Sequence, residues 1–119
     1  MVKILIVDDS MFMRRILINI LNKAGFNDII EAENGKEAIQ KFKREKPDLV
    51  LLDIVMKDEY GTDVLKDIMK IDPNAKVVMI SSVGQEAIIK ETLESGASDF
   101  IVKPFKEEQI ISVIKKVLK

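Results

Sequence analysis

The chain of 119 residues falls in the size range of one domain, and its 19 basic and 20 acidic residues, spread along its length, leave a formal net charge of −1 with no basic footprint for nucleic acid. It contains neither Cys nor His, which excludes disulfides, thiolate or imidazole metal sites and histidine acid–base chemistry. Any metal must therefore sit on oxygen ligands, which points to Mg²⁺, Mn²⁺ or Ca²⁺.

In chain order, short β-branched runs alternate with amphipathic stretches of helical period, the pattern of βα units around a parallel sheet. Strands are expected from Lys3 to Val7, Asp28 to Ala32, Leu49 to Asp53, Lys76 to Ser81 and Asp99 to Val102. The first, third and fourth are nearly continuous Ile, Val and Leu, as strands covered on both faces require, and should be central. Ser10 and Asn34 suit helix N-caps, Gly25 and Gly96 suit helix stops, and Pro47 and Pro73 suit positions just past helix ends. In the last helix Ile110, Val113, Ile114 and Val117 share one face. With no repeat, low-complexity tract or linker, residues 1–119 read as a single domain without an output module. Apolar runs are broken by Asp or Lys well short of a bilayer span, and no charged leader or cleavage site precedes Val2 to Val7, so a cytoplasmic protein without membrane contact is expected.

In an open α/β sheet, ligands bind outside the carboxyl ends of the strands, beside the point where strand order reverses. Asp8 and Asp9 follow the first strand, Asp53 ends the third, Ser81 ends the fourth and Lys103 follows the fifth, so five polar groups converge on one rim. Two unit charges about 4 Å apart repel by about 1 kcal/mol in water and roughly 4 kcal/mol at an effective dielectric near 20, and three clustered carboxylates compound that cost. A divalent cation, with the Lys103 ammonium nearby, turns the repulsion into coordination. A carboxylate can also attack phosphorus to give an acyl phosphate, a reaction that needs positioning and charge neutralisation more than acid–base groups. Asp53, behind the apolar run Leu49-Val50-Leu51-Leu52, is the best nucleophile candidate, whereas the Asp8-Asp9 pair is better shaped to hold an ion. Lys103 would pair with phosphoryl oxygens as a point charge, and the Ser81 hydroxyl would bond another. Taken singly these residues have blander readings: Asp9 and Ser10 as a helix cap worth roughly 1 kcal/mol, Asp53 as a strand-end acid, Lys103 as a solvated lysine. Capping alone does not require three acids, a hydroxyl and a lysine on one rim. Phe100 reads first as core, and Met11, Met13, Met56, Met69 and Met79 as packing.

The segments Ile4-Leu5-Ile6-Val7-Asp8-Asp9-Ser10, Leu51-Leu52-Asp53-Ile54-Val55-Met56 with Gly61, Val78-Met79-Ile80-Ser81-Ser82, Gly96-Ala97 and Asp99-Phe100-Ile101-Val102-Lys103-Pro104-Phe105 together resemble the receiver domain of two-component response regulators. The resemblance runs the length of the chain. It implies a flavodoxin-like, doubly wound (βα)5 fold with a five-stranded parallel sheet in the order 2-1-3-4-5. It implies phosphorylation of Asp53 by a histidine kinase, with Mg²⁺, or Mn²⁺ in its place, on Asp8, Asp9, Asp53 and the Val55 backbone carbonyl. Ser81 stands where the family has Thr or Ser, and Phe100 where it has Tyr or Phe. In relatives the hydroxyl moves toward the phosphoryl group and the ring swings inward, remodelling the face of helix four, strand five and helix five. The Lys103-Pro104 bond is expected to be cis, as in the family.

Because no output domain follows, the chain is similar to stand-alone chemotaxis receivers. That similarity implies a monomeric switch rather than an enzyme, with a chemotaxis-type histidine kinase upstream and a flagellar or archaellar motor switch or adaptor protein, and a phosphatase, as further partners. Two alternatives stand beside it: a phosphorelay carrier serving a histidine phosphotransfer protein, and a small Mg²⁺-dependent aspartyl phosphohydrolase. The sequence lacks the Asp-x-Asp nucleophile motif and the cap that the last would need. It departs from the family after Asp53, where Met-Pro and an Asp or Asn before Gly are common but Met56 is followed by Lys57-Asp58-Glu59-Tyr60-Gly61. Val55 and Val83 occupy positions that in relatives govern water access to the acyl phosphate, and neither can orient a water, so a long-lived phosphorylated form is expected.

Overall fold

A computed structural model of the protein describes residues 1–119. Five parallel strands form the main sheet: β1 (Lys3–Val7), β2 (Asp28–Ala32), β3 (Leu49–Leu52), β6 (Val77–Ser81) and β7 (Asp99–Val102). A small antiparallel hairpin, β4 (Val55–Met56) with β5 (Glu59–Tyr60), lies between β3 and β6 in the chain. The helices are α1 (Met11–Lys23), α2 (Gly35–Glu45), α3 (Gly61–Ile71), α4 (Glu86–Glu94) and α5 (Glu107–Leu118). The main sheet runs β2-β1-β3-β6-β7, which is the order 2-1-3-4-5 when only its own strands are counted, and the fold is flavodoxin-like. The strands with continuous apolar runs, β1, β3 and β6, are the three inner ones.

Alternation along the strands feeds two cores. Ile4 and Ile6 of β1, with Leu49 and Leu51 of β3, pack toward α1 and α5 around Leu17, Leu21, Ile110 and Ile114. Leu5 and Val7, with Val50 and Leu52, pack on the opposite face against α2 and α3 around Ala38, Phe42, Leu65 and Ile68. Each inner strand is therefore apolar along its run between the sheet ends, with only Lys3 at the start of β1 and Ser81 at the end of β6 polar, because both faces are covered. The helix punctuation follows the sequence: Ser10 Oγ accepts from the Met13 N–H at 3.2 Å, Asn34 Oδ1 from the Glu37 N–H at 2.9 Å, and Gly25 and Gly96 take φ of 93° and 111° past helix ends.

Three sequence expectations are corrected. Asp53 is the first residue beyond β3 rather than its last, because the chain there leaves the ladder to enter the hairpin; its N–H still bonds the Val7 carbonyl at 3.0 Å. Lys76 precedes β6, giving only its carbonyl to the Val50 N–H at 2.9 Å. Met11 is exposed rather than packed.

Candidate functional site

The chain runs from β1 to β2 on one side of the sheet and then crosses to β3 on the other, so the carboxyl ends of β1 and β3 flank the point where strand order reverses. Asp8 continues β1 and is buried, with its N–H on the Ala32 carbonyl at 3.1 Å and its Oδ1 accepting from the Ser10 N–H at 2.9 Å. Asp9 is exposed and accepts the Lys57 N–H on Oδ2 at 2.7 Å. Asp53 is buried at the end of β3. One oxygen from each of the three carboxylates lies within 4.8 Å of the others. Such a set of hard oxygen donors, held together without cysteine or histidine, fits a divalent cation of the Mg²⁺ or Mn²⁺ kind.

Lys103, just past β7, sends its ammonium between the two buried acids, with Nζ 3.6 Å from Asp8 Oδ2 and 3.5 Å from Asp53 Oδ2. At those distances it neutralises as a point charge without a tight hydrogen bond to either acid. The Lys103–Pro104 peptide bond that follows is cis. Burial pushes the Asp53 carboxyl above the usual carboxylate range; the Lys103 charge opposes this, the Asp8 charge adds to it, and the backbone N–H groups of Val55 and Ile54 pull it back. Ser81, at the end of β6, is buried, and its Oγ accepts the Val83 N–H at 3.2 Å, leaving its own proton free to donate. Phe100, on β7, is half-buried and packs against the α2–α3 core together with Ile88 of α4.

The hairpin gives Val55 its place. The Gly61 N–H bonds the Ile54 carbonyl at 2.5 Å, and Val55 faces Tyr60 while Met56 faces Glu59. Antiparallel pairs alternate between bonded and non-bonded, so the Val55–Tyr60 pair is non-bonded and leaves the Val55 carbonyl outside the ladder. A Cβ at Gly61 would collide with the backbone oxygen of Asp53, so only glycine permits the hairpin to close this tightly against the acid.

Sequence reasoning passed over two supports. Arg14 is buried on α1, donates Nη1 to the Asp8 carbonyl at 2.6 Å and pairs through Nε with Glu31 at 2.9 Å. A signal existed, since Arg14 stands three residues before Leu17 and seven before Leu21 on the buried stripe of α1. Glu59 Oε1 accepts the Gly35 N–H at 2.6 Å across 24 residues of chain, and no local pattern announces that contact.

Residues 4–115 match the response regulator receiver domain family, and the chain belongs to it. The resemblance carried by the strand-end motifs is thus confirmed, and with it the fold. Among curated relatives, the chemotaxis protein CheY of Thermotoga maritima is 49% identical over 117 residues, covering 98% of both chains. The CheY of Listeria monocytogenes is 45% identical over 119 residues and 100% of both. Among solved structures, a CheX-CheY-BeF3-Mg²⁺ complex from Borrelia burgdorferi contains a chain that superposes with a TM-score of 0.95 at 40% identity, covering 99% of this chain and 90% of that one. No helix is long and apolar enough to cross a membrane.

Proposed function

We propose that this protein is a phosphorylation switch of chemotaxis type in which Asp53 takes a phosphoryl group from a phosphohistidine of its kinase. The observation that carries the reading is the setting of Asp53, a buried carboxylate at the switch point with Asp8, Asp9 and Lys103 gathered around it. An Asp53 oxygen bonds phosphorus as the bond from phosphorus to one imidazole nitrogen breaks, its electron pair staying on that nitrogen; with the other ring nitrogen carrying a proton, the products are an acyl phosphate on Asp53 and neutral histidine on the kinase. Lys103 pairs with a phosphoryl oxygen, exchanging its present partners for the new dianion. The free Ser81 proton is donated to another. Mg²⁺, or Mn²⁺ in its place, held by Asp8, Asp9, Asp53 and the Val55 carbonyl, would supply charge neutralisation at the transferring group. Displacement of the Ser81 hydroxyl is answered by Phe100, which packs with Ile88 of α4 against the same core, so that the face of α4, β7 and α5 changes shape.

A motor switch or adaptor protein would read that altered face and a phosphatase would reset it, and the Borrelia burgdorferi complex, in which CheX is bound to CheY, supports adding a CheX-like protein to the partners. The protein would work as a cytoplasmic monomer that is phosphorylated and dephosphorylated rather than as an enzyme on free substrates. The test is incubation with acetyl phosphate and Mg²⁺ followed by intact mass measurement. The wild type is expected to gain one phosphoryl group and Asp53→Asn none; equal uptake by the two would overturn the assignment. After removal of acetyl phosphate the adduct should persist, since Val55 and Val83 offer no group to orient water. Transfer of the label to a histidine phosphotransfer protein, rather than complex formation with a motor protein, would favour the relay carrier instead.

A further inference from the structure

The segment between Asp53 and Gly61 is where this chain leaves the pattern of its family, and it is tied down at three places. Its base is closed by the Gly61 N–H on the Ile54 carbonyl. Its tip gives the Lys57 N–H to Asp9 Oδ2 at 2.7 Å. Its returning strand sends Glu59 to the first residue of α2, where Oε1 accepts the Gly35 N–H at 2.6 Å. That N–H is one of the orphan donors at a helix N-terminus, where a carboxylate is favoured both as acceptor and as counter-charge to the helix dipole. Gly35 carries no side chain, and a Cβ there would collide with the Glu59 carboxylate, so the approach of Glu59 depends on that glycine.

The hairpin, in turn, touches the acidic cluster twice: it carries the Val55 carbonyl outside its ladder, and it fixes the orientation of Asp9 through the Lys57 N–H. The turn between its strands is costly to hold, since Asp58 sits at φ 63°, a left-handed conformation that Asp tolerates better than most residues. A two-residue ladder supplies little stability of its own. Its position must be imposed by the tethers.

We infer that Glu59 is a positioning residue for the metal site: by capping α2 it anchors the hairpin, which places the Val55 carbonyl and orients Asp9 for a divalent cation. The inference rests on the reading of Asp8, Asp9 and Asp53 as Mg²⁺ ligands. It differs from a purely electrostatic role, in which the Glu59 charge merely attracts the cation.

Two variants separate these roles. Glu59→Ala removes acceptor and charge, while Glu59→Gln removes the charge but keeps a carbonyl oxygen for the Gly35 N–H. By calorimetric titration with Mg²⁺, Glu59→Ala should bind about 10-fold more weakly than wild type, the usual scale for loss of an outer support, and Glu59→Gln should stay within about 2-fold of wild type. In the metal-free protein, amide exchange should show the Lys57 N–H losing protection in Glu59→Ala and keeping it in Glu59→Gln. Equal weakening in the two variants would replace positioning by charge. Unchanged binding in Glu59→Ala would overturn the inference while leaving the site itself intact. Failure of the wild type to bind Mg²⁺, with Asp9→Asn indistinguishable from it, would instead sink the underlying reading of the acidic cluster.

Discussion

Asp53 shows what a buried carboxylate costs the fold that carries it. Its carboxyl is held above the ordinary range mainly by burial, so the native state binds its proton more tightly than the unfolded chain does. Between the ordinary and the raised pKa the folded state therefore holds more protons than the unfolded one, and stability falls as pH rises through that window. Above it the penalty is complete and constant; below the ordinary value it is absent. Asp53→Asn removes the ionisation but keeps the size, so in metal-free buffer it should be more stable than wild type at neutral pH, with the difference vanishing in acid. Urea unfolding of both proteins across the acid-to-neutral range would check this. A variant less stable than wild type at neutral pH would mean that Lys103 outweighs burial. Strain of this kind is the expected trade between stability and activity.

At the level of elements, the hairpin of β4 and β5 is the piece that turns a strand end into a site. Its tight return depends on Gly61, the first residue of α3, where a side chain would meet the backbone of Asp53 and Ile54. Backbone atoms cannot swing aside as a flexible side chain can, so Gly61→Ala should lose roughly 1–3 kcal/mol of stability, the usual scale for forced overpacking. It should also bind Mg²⁺ more weakly, because β4 would be pushed away from Asp53. Denaturant midpoints and a metal titration of the same samples provide the measurement. Wild-type behaviour in both would mean that the hairpin has room to spare. The helices are more conventional: α1 and α2 have side-chain N-caps at Ser10 and Asn34, as local sequence alone indicated.

Across the whole molecule, two cores grip one sheet, and the site lies where their shared strands end. Ligand binding at that rim must then stabilise the entire domain, since the unfolded chain does not hold Asp53 against the Asp8-Asp9 pair. At a Mg²⁺ concentration about 100 times the dissociation constant, the gain in unfolding free energy should be about 2.7 kcal/mol. A domain of this size is expected to have only about 5–15 kcal/mol in total, so the effect is readily seen as a rise in thermal midpoint. Asp8→Asn should abolish most of that rise. A midpoint insensitive to Mg²⁺ in the wild type would argue that the three acids do not form a cation site.

The sequence by itself determined the strand positions, the central place of the three apolar strands, the helix caps and the strand-end residues that gather on one rim. It could do so because periodicity, capping and strand termini are local, and because parallel sheets put strand ends on one rim. Its errors lay at two boundaries, Asp53 and Lys76, where a ladder ends by geometry rather than by residue type, and at Met11, which faces solvent instead of packing. Only the tertiary structure decided the path from Val55 to Tyr60, the seat of Arg14 beneath Asp8 and the bond from Glu59 to Gly35. Glu59 reaches Gly35 across 24 residues and Arg14 is also held by Glu31 17 residues away, while a short segment with weak strand preference takes its shape from whatever hydrogen bonds its neighbours leave open.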